Sequence, residues 1–343
     1  MTKVSEISEF ELINRLSQVL ENSTSTNTDV GIRTSIGDDA AVLDIPGVTQ
    51  IITTDTMVEK VHFLESLSSM EDIGWKLMAS NYSDVASMGC APFSSVVTLG
   101  LRPDQSVEGL ENLYKGCRKL VEEYGGFIVG GDIVRSDTFF VSATIIGYSK
   151  TKNVLMRDRA NPGDLVGVSG HLGCSAEGLN LLTHSLDTSS KSAQHCLARH
   201  KTPSPRIKEG QFLLNNGVLA AMDLSDGLVA DLGKLCLASS VSAEIYIPSL
   251  PVCSYIKKHH TKLWKEFALG GGEDYELIFT APAEIMELVA SNKNYKFTVI
   301  GKITNSAQNI TIKDENGNDY VPKAKGWDHF NSNLLGSFLN GRN

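Results

Sequence analysis

The sequence predicts an α/β or α+β fold in two domains, and three observations carry that expectation. Apolar runs of strand length alternate with stretches of helical spacing along the chain. The polar segment Lys150–Asn161 and the turn signal Pro162-Gly163-Asp164 interrupt this alternation near the middle. At 343 residues the chain is long enough for two ordinary domains, placed at 1–150 and 151–343.

The elements follow in order. Ile7, Phe10, Ile13, Leu16 and Leu20 share one face of a helix expected over 5–20. The Ser/Thr/Asn run from Asn22 to Asp29 reads as a loop. Short strands are expected at Ala41–Leu43 and Gln50–Thr54, then a helix over Ile73–Met88 that Gly89 closes. Ser95–Leu101 reads as a strand and Val107–Tyr124 as a helix ended by Gly125-Gly126. Phe127–Val129 and Phe139–Ile146 read as strands. Past the boundary, strands are expected at Leu165–Ser169, Val218–Met222 and Ala243–Ile247. Helices are expected at Ser175–Thr183, Pro205–Asn215 and Asp226–Ala238, with a Ser-rich loop over Ser185–Ser192. Such a chain is expected to bind ligands in the cleft between its domains.

Hydrophobic residues make up 41% of the chain and charged residues 21%, as in ordinary globular proteins. The net charge of −9 argues against a nucleic-acid partner, which needs a basic footprint. It still permits a polyphosphate ligand, provided that cations sit between the negative partners. None of the six cysteines forms a CxxC or zinc-finger spacing, so buried reduced thiols are expected. The polar N-terminus has no apolar signal core, and no apolar run approaches the ~18 residues of a membrane span. A cytoplasmic protein is expected.

The chemistry is written in acidic residues beside Gly, Ser, Thr or Asn. They occur as Gly37-Asp38-Asp39, Thr53-Thr54-Asp55, Asn81-Tyr82-Ser83-Asp84, Gly130-Gly131-Asp132, Asp223-Leu224-Ser225-Asp226 and Glu273-Asp274-Tyr275-Glu276. Any one of these could be a turn former or a helix cap, as Asp226 could be for the helix after it. Recurrence at several places points to Mg²⁺, which takes hard oxygen ligands from a few carboxylates plus substrate phosphates. Phosphoryl transfer is largely positioning and charge neutralisation, so metal-holding carboxylates suit it. There is no G-x-x-x-x-G-K-[ST], which excludes a P-loop. Gly167-Val-Ser-Gly170-His-Leu-Gly173 reads as a strand-to-helix turn, with its amides as possible donors to a phosphate.

In order, the motifs GDDAAVL at Asp38, TTD followed by His62, NYSDVASMG at Asp84 and GGD at Asp132 resemble the thiamine-monophosphate kinase family. The similarity continues through Arg157 ahead of NPGD, HKTPSPR, MDLSDGL at Asp223, GGGEDYEL at Glu273 and GWDHF at Trp327. It spans essentially the whole chain. The resemblance implies an N-terminal domain with a dimer-forming mixed sheet and a C-terminal α/β domain. That is the plan of the superfamily that includes aminoimidazole ribonucleotide synthetase, selenophosphate synthetase and a hydrogenase-maturation protein. The reactive cysteines expected of the last two have no counterpart here, since the first cysteine is Cys90 and the chain ends Asn340-Gly341-Arg342-Asn343.

By resemblance, several Mg²⁺ ions are expected on Asp39, Asp55, Asp84, Asp132, Asp223 and Asp226. Asp38 stands open between ligand and turn, and Thr53 and Thr54 are implied as further oxygen donors. Tyr114, Gly131, Asp132, Arg157 and Ser225 match positions around ATP. His62, Glu273 and Trp327 match positions around thiamine monophosphate. Arg157 suits phosphate oxygens through its planar donor fork, and Trp327 suits a thiazolium cation through its π face. The implied reaction is direct in-line transfer of the ATP γ-phosphate to thiamine monophosphate, giving thiamine diphosphate. The sequence shows no paired Ser-His or Cys-His motif, so no covalent nucleophile is assigned and Arg157 is the one phosphate-stabilising side chain named for catalysis.

Overall fold

The computed structural model describes residues 11, 31–34, 38–45, 47–261, 263–305, 309–323 and 326–327. Apart from Glu11, the helix expected over 5–20 lies outside these residues, as do the loop at 22–29 and the Asp328–Phe330 end of GWDHF.

Six strands form the first sheet: β1 (Gly31–Thr34), β2 (Ala41–Ile45), β3 (Val48–Val58), β4 (Ala91–Leu101), β5 (Phe127–Arg135) and β6 (Phe140–Ser149), in the order β1-β2-β3-β6-β4-β5. Helix α1 (Met70–Ser87) precedes β4, and α2 (Val107–Tyr124) makes the crossover from β4 to its parallel neighbour β5. The other pairings in this sheet are antiparallel. A second six-stranded sheet follows, from β7 (Leu165–Ser169), β8 (Ala220–Asp223), β9 (Ser242–Tyr246), β10 (Leu277–Ala281), β11 (Phe297–Thr304) and β12 (Ile310–Lys313). Its order is β12-β9-β11-β7-β10-β8, which leaves β7 central, and only the β12–β9 pair is parallel. Its helices are α3 (Cys174–Thr183), α4 (Lys191–Lys201), α5 (Ile207–Asn215), α6 (Leu228–Ala238), α7 (Ser254–His259), α8 (Trp264–Gly270) and α9 (Ala283–Ala290).

Two strands run longer than their apolar cores suggest. Strand β3 extends through Val58, so Asp55 lies within it, and β5 continues through the Gly130-Gly131-Asp132 motif. Ladder hydrogen bonds need only the backbone, so polar side chains persist in a strand wherever one flank stays open. Helix α4 begins at the end of the Ser-rich loop because the Ser190 hydroxyl accepts the Ala193 amide at 3.1 Å. Asp226 does not cap α6. Asp231, one turn inside that helix, accepts the Asp226 and Gly227 amides at 2.9 and 3.0 Å instead.

Helix α1 positions the site. Ser69 and Asp72 close a capping box at its start, and the helix is buried on nearly every side. It packs on α2 and β3 and crosses to α5 and β8 of the second domain. One apolar cluster therefore unites Leu77 and Met78 of α1 with Val141 of β6, Ala221 of β8 and Phe279 of β10. Polar residues of α1 satisfy themselves locally. Ser80 and Asn81 donate to the Leu77 carbonyl at 3.0 and 2.9 Å, and Ser87 donates to the Asp84 carbonyl at 2.7 Å.

The α1–α5 contact is backbone to backbone. A Cβ on Gly210 would stand 1.9 Å from the Ala86 carbonyl oxygen. Alanine would gain about 1 kcal/mol of helix propensity but must push the helices apart, at a cost of about 1–3 kcal/mol or more. Gly210→Ala is therefore expected to lower the thermal midpoint. A midpoint at or above that of the parent chain would contradict this.

Candidate active site

Between the two sheets lies a cavity of about 650 Å³. Aspartates reach it as Asp38 and Asp39 ahead of β2, Asp55 of β3, Asp72 and Asp84 of α1, Asp223 at the end of β8, and Asp226 beyond it. Carboxylate oxygens of Asp39, Asp84 and Asp223 lie within 4.8 Å of one another. Two of these residues come from the N-terminal half and one from the C-terminal half, so the cluster exists only when the halves pack.

Like charges brought together away from water are costly. Burial pushes the Asp84 carboxyl well above the ordinary range, and Asp55, Asp223 and Asp39 push it further. Asp223 rises through burial and the charge of Asp39. Partial relief comes from Thr53, whose hydroxyl donates to Asp84 at 2.5 Å, and from Arg157, whose guanidinium bonds Asp39. The second Asp39 oxygen is buried with no hydrogen-bond partner.

Asp38 and Asp39 divide their tasks. Both Asp38 oxygens accept backbone amides, from Asp39 at 2.8 Å and Arg157 at 3.0 Å. Burial and its neighbour Asp39 push Asp38 up to about 7. Arg157 opens a 3₁₀ turn, Arg157–Arg159, that is tied to the end of α6 by the Ser239 hydroxyl donating to its carbonyl at 2.6 Å. Thus Asp38 braces the chain and Asp39 faces the cluster. Arg157 makes no pair with Asp158, which bonds Arg159 instead.

On the opposite wall, residues 272–276 run beside the Asp223–Asp226 loop. The Glu273 amide donates to the Ser225 carbonyl at 2.7 Å, and the Tyr275 amide to that of Leu224 at 2.9 Å. Glu273 and Tyr275 both hold positive φ, 63° and 49°, a strain of about 1–3 kcal/mol each that the surrounding contacts must sustain. Glu273 is anchored by Lys76 of α1 at 2.7 Å and approached by His200 at 3.4 Å. Burial alone would raise its carboxyl, but chiefly Lys76 holds it below the ordinary glutamate range. His62 and Trp327 border the same cavity. His62 accepts the Val58 amide on Nδ1 at 3.0 Å, and the Trp327 amide donates to the Asp226 carbonyl at 3.0 Å.

Not every expected residue meets here. Thr54 borders the cavity, but its hydroxyl is committed to β6, donating to the Ala143 carbonyl at 2.9 Å and accepting from Thr144. Tyr114, Gly131 and Asp132 lie off the cavity: Tyr114 packs against the N-terminal core, and the other two stand exposed on β5, the edge strand. The glycine turn before α3 offers no phosphate seat, because the Asp274 carboxylate already accepts the Gly173 and Ser175 amides at 2.6 and 3.1 Å. Ser175 and His200, which form no sequence motif, meet in the fold at 3.1 Å. Glu273 approaches the same ring nitrogen, so no relay runs through the ring. Burial and Lys76 also push His200 down to about 3, leaving it neutral and a weak base.

Sequence reasoning missed Lys76, Asn81 and Lys234. Asn81 accepts the Asp55 amide at 3.0 Å, and Lys234 bonds Asp226 at 2.5 Å and Asp231 at 2.8 Å. Asn81 stands three residues before Asp84 on α1, a spacing that could have flagged it. Lys234 stands three residues after Asp231 on α6, the same kind of spacing, while Lys76 carries no local signal.

The fold and its carboxylate cluster define an AIR synthase related protein. The family's N-terminal domain matches residues 37–149 and its C-terminal domain residues 161–313. The chain belongs to the thiamine-monophosphate kinases within that group. It is 36% identical to "Thiamine-monophosphate kinase" of Bacillus subtilis over 94% of this chain and 99% of that one. It is 35% identical to the Aquifex aeolicus protein of the same name, over 96% of this chain and all of that one. The structure "AaThiL complexed with AMPPCP and TMP" superposes with a TM-score of 0.83 at 33% identity, covering 96% of this chain and 99% of that one. The hydrogenase maturation protein HypE in complex with ATP, at 21% identity and a TM-score of 0.68, shares the fold. No described helix is long and apolar enough to cross a membrane.

Proposed function

We infer that this chain catalyses ATP-dependent phosphorylation of thiamine monophosphate to thiamine diphosphate. The observation that carries this reading is one cavity that holds both the Asp39–Asp84–Asp223 cluster and the His62, Glu273 and Trp327 side chains. The relative solved with AMPPCP and TMP supports it.

Magnesium fits the cluster. The donors are hard carboxylate oxygens, one Asp39 oxygen is buried without a partner, and the local charge is only partly offset. Asp39, Asp84 and Asp223 would hold it, with Asp55 and Asp226 at the margin. When bound, magnesium supplies the positive charge that lets donor and acceptor phosphates approach.

The chain's own groups do the remaining work. Arg157, held by Asp38 and Asp39, presents a guanidinium at the cavity wall for phosphate oxygens. Glu273, kept anionic by Lys76, faces the permanent cation of the thiazolium, and the Trp327 ring borders the same space. The terminal phosphate oxygen of thiamine monophosphate bonds to the γ-phosphorus in line as the β–γ oxygen bond breaks and ADP departs. That acceptor is already largely anionic, with a second pKa of ~6, so no strong base is required. ADP release dependent on thiamine monophosphate tests the activity. Trapping of a phosphoenzyme from γ-labelled ATP, at Ser175 for instance, would overturn direct transfer.

A homodimer reconciles Gly131 and Asp132 with an ATP role. They lie on an edge strand whose Phe127, Val129 and Ile133 are each 65% exposed, and such an edge is a template for pairing with another copy. Ile133→Asp is expected to give a monomer by light scattering and roughly tenfold lower activity or less. A fully active monomer would refute the role of this edge.

A further inference from the structure

A second group of ligating side chains sits in the C-terminal domain, outside the cavity. Cys174 opens α3, Cys196 lies on α4, and Cys253 immediately precedes α7. Their three sulfur atoms lie within 4.8 Å of one another, and all three are free thiols. Cys174 and Cys196 are fully buried, while Cys253 is half-buried and gives a way in from solvent.

A disulfide would use two of these sulfurs and strand the third, whereas a metal ion uses all three. With metal–sulfur bonds of about 2.3 Å, tetrahedral or trigonal thiolate sites place sulfurs about 3.8–4.0 Å apart, so only a small contraction is needed. A second observation stands beside the cluster. Glu177, one turn along α3 from Cys174, is fully buried, and its charge is felt at Cys196. One of its oxygens meets His260 at 2.9 Å and Asn180 at 3.1 Å, while the other has no hydrogen-bond partner. That oxygen is a buried polar atom without a partner, on the same helix as Cys174.

We propose that Cys174, Cys196 and Cys253 bind a thiophilic d¹⁰ metal ion, zinc(II) or copper(I), at a site distinct from the carboxylate cluster. Copper(I) is satisfied by three thiolates, while zinc takes a fourth donor from water. Each thiol that binds releases its proton, so capture strengthens as pH rises. The ion would pin α3, α4 and the segment before α7 together. That pinning bears on the cavity wall. Cys174 lies between Gly173 and Ser175, whose amides hold Asp274, and Cys196 stands one helical turn before His200.

The test uses the full chain, reduced and stripped of metal, in excess magnesium so that the aspartates are filled by the hard ion. Zinc(II) and, without oxygen, copper(I) are titrated separately against a chromogenic chelator. One tight equivalent of at least one ion is expected, and the stronger competitor identifies which. Cys196→Ser and Cys253→Ser should each weaken capture by roughly a hundredfold or more, while Cys236→Ser should not. Cobalt(II) added to the unmodified chain should give the intense near-ultraviolet band of thiolate-to-cobalt charge transfer, a readout that does not depend on any variant folding. Absence of a tight equivalent of either ion, undiminished capture by both cluster variants, or a cobalt spectrum without that band would each overturn the proposal.

Discussion

Asp84→Asn is expected to lower turnover by roughly a thousandfold or more while making the metal-free protein more stable. Asp84 stands where three other carboxylates raise its pKa, so its negative charge works against folding until a cation arrives. Asparagine keeps the oxygen that accepts the Thr53 hydroxyl and removes the charge. The gain in metal-free stability should be about 1–2 kcal/mol, the scale of relieving one close like-charge contact. Magnesium at 100 times its dissociation constant should stabilise the parent chain by about 2.7 kcal/mol, and the variant far less. The pH dependence has a definite sign. A carboxyl raised in the folded state stabilises it below the unfolded pKa, and that contribution is lost as pH rises through the folded value. Metal-free protein should therefore lose stability from about pH 4 upward, and Asp84→Asn should reduce that loss. Thermal unfolding across pH, with and without magnesium, together with ADP release, measures all of this. Near-normal turnover at saturating magnesium would remove Asp84 from the metal site.

Glu276→Ala is expected to destabilise the fold by about 3–5 kcal/mol, the cost of leaving buried cations unpaired. The Glu276 side chain is almost fully buried and holds Arg199 at 2.8 Å and Arg206 at 2.7 Å through its Nε, with the Ser169 hydroxyl donating as well. Burial alone would raise this carboxyl, but Arg206 and Arg199 hold it below the ordinary glutamate range. Its contribution is thus complete above about pH 4.5 and lost as pH falls through the folded value. Gly170 belongs to the same arrangement. Its φ is 52°, and a Cβ there would stand 2.2 Å from a Glu276 oxygen. A shift in the urea midpoint worth less than about 1 kcal/mol would show that the two arginines find other partners. Glu276→Gln, which keeps the shape but not the charge, should fall between alanine and the parent chain.

Much of the site was legible in the chain because its chemistry uses short carboxylates beside small or polar residues. Asp39, Asp84 and Asp223 could be named from such local words, Glu273 and Trp327 from the family resemblance, and the structure brings them to one cavity. The acidic run Glu273-Asp274-Tyr275-Glu276 shows the limit of that method. Its three carboxylates read alike in sequence. In the fold, Glu273 faces the cavity, Asp274 fills the amide seat before α3, and Glu276 neutralises two arginines. These residues lie in an irregular segment ahead of β10, and the positive φ of Glu273 and Tyr275 turns their side chains in ways no residue identity announces.

The sequence by itself determined the alternation of elements, the glycine stops after two helices, the absence of a phosphate loop, and the family. These depend on neighbours along the chain, where propensity, capping and turn chemistry act. Only the tertiary structure decided that Asp39, Asp84 and Asp223 converge, that Lys76 of α1 pairs with Glu273, and that Asp132 faces outward on an open edge. It also gathered Cys174, Cys196 and Cys253, which have no metal-binding spacing in sequence. The physical reason is common to all four. Such contacts are set by how α1 and the two sheets pack, and packing energy is spread over many apolar residues that carry no mark of the polar groups they bring together.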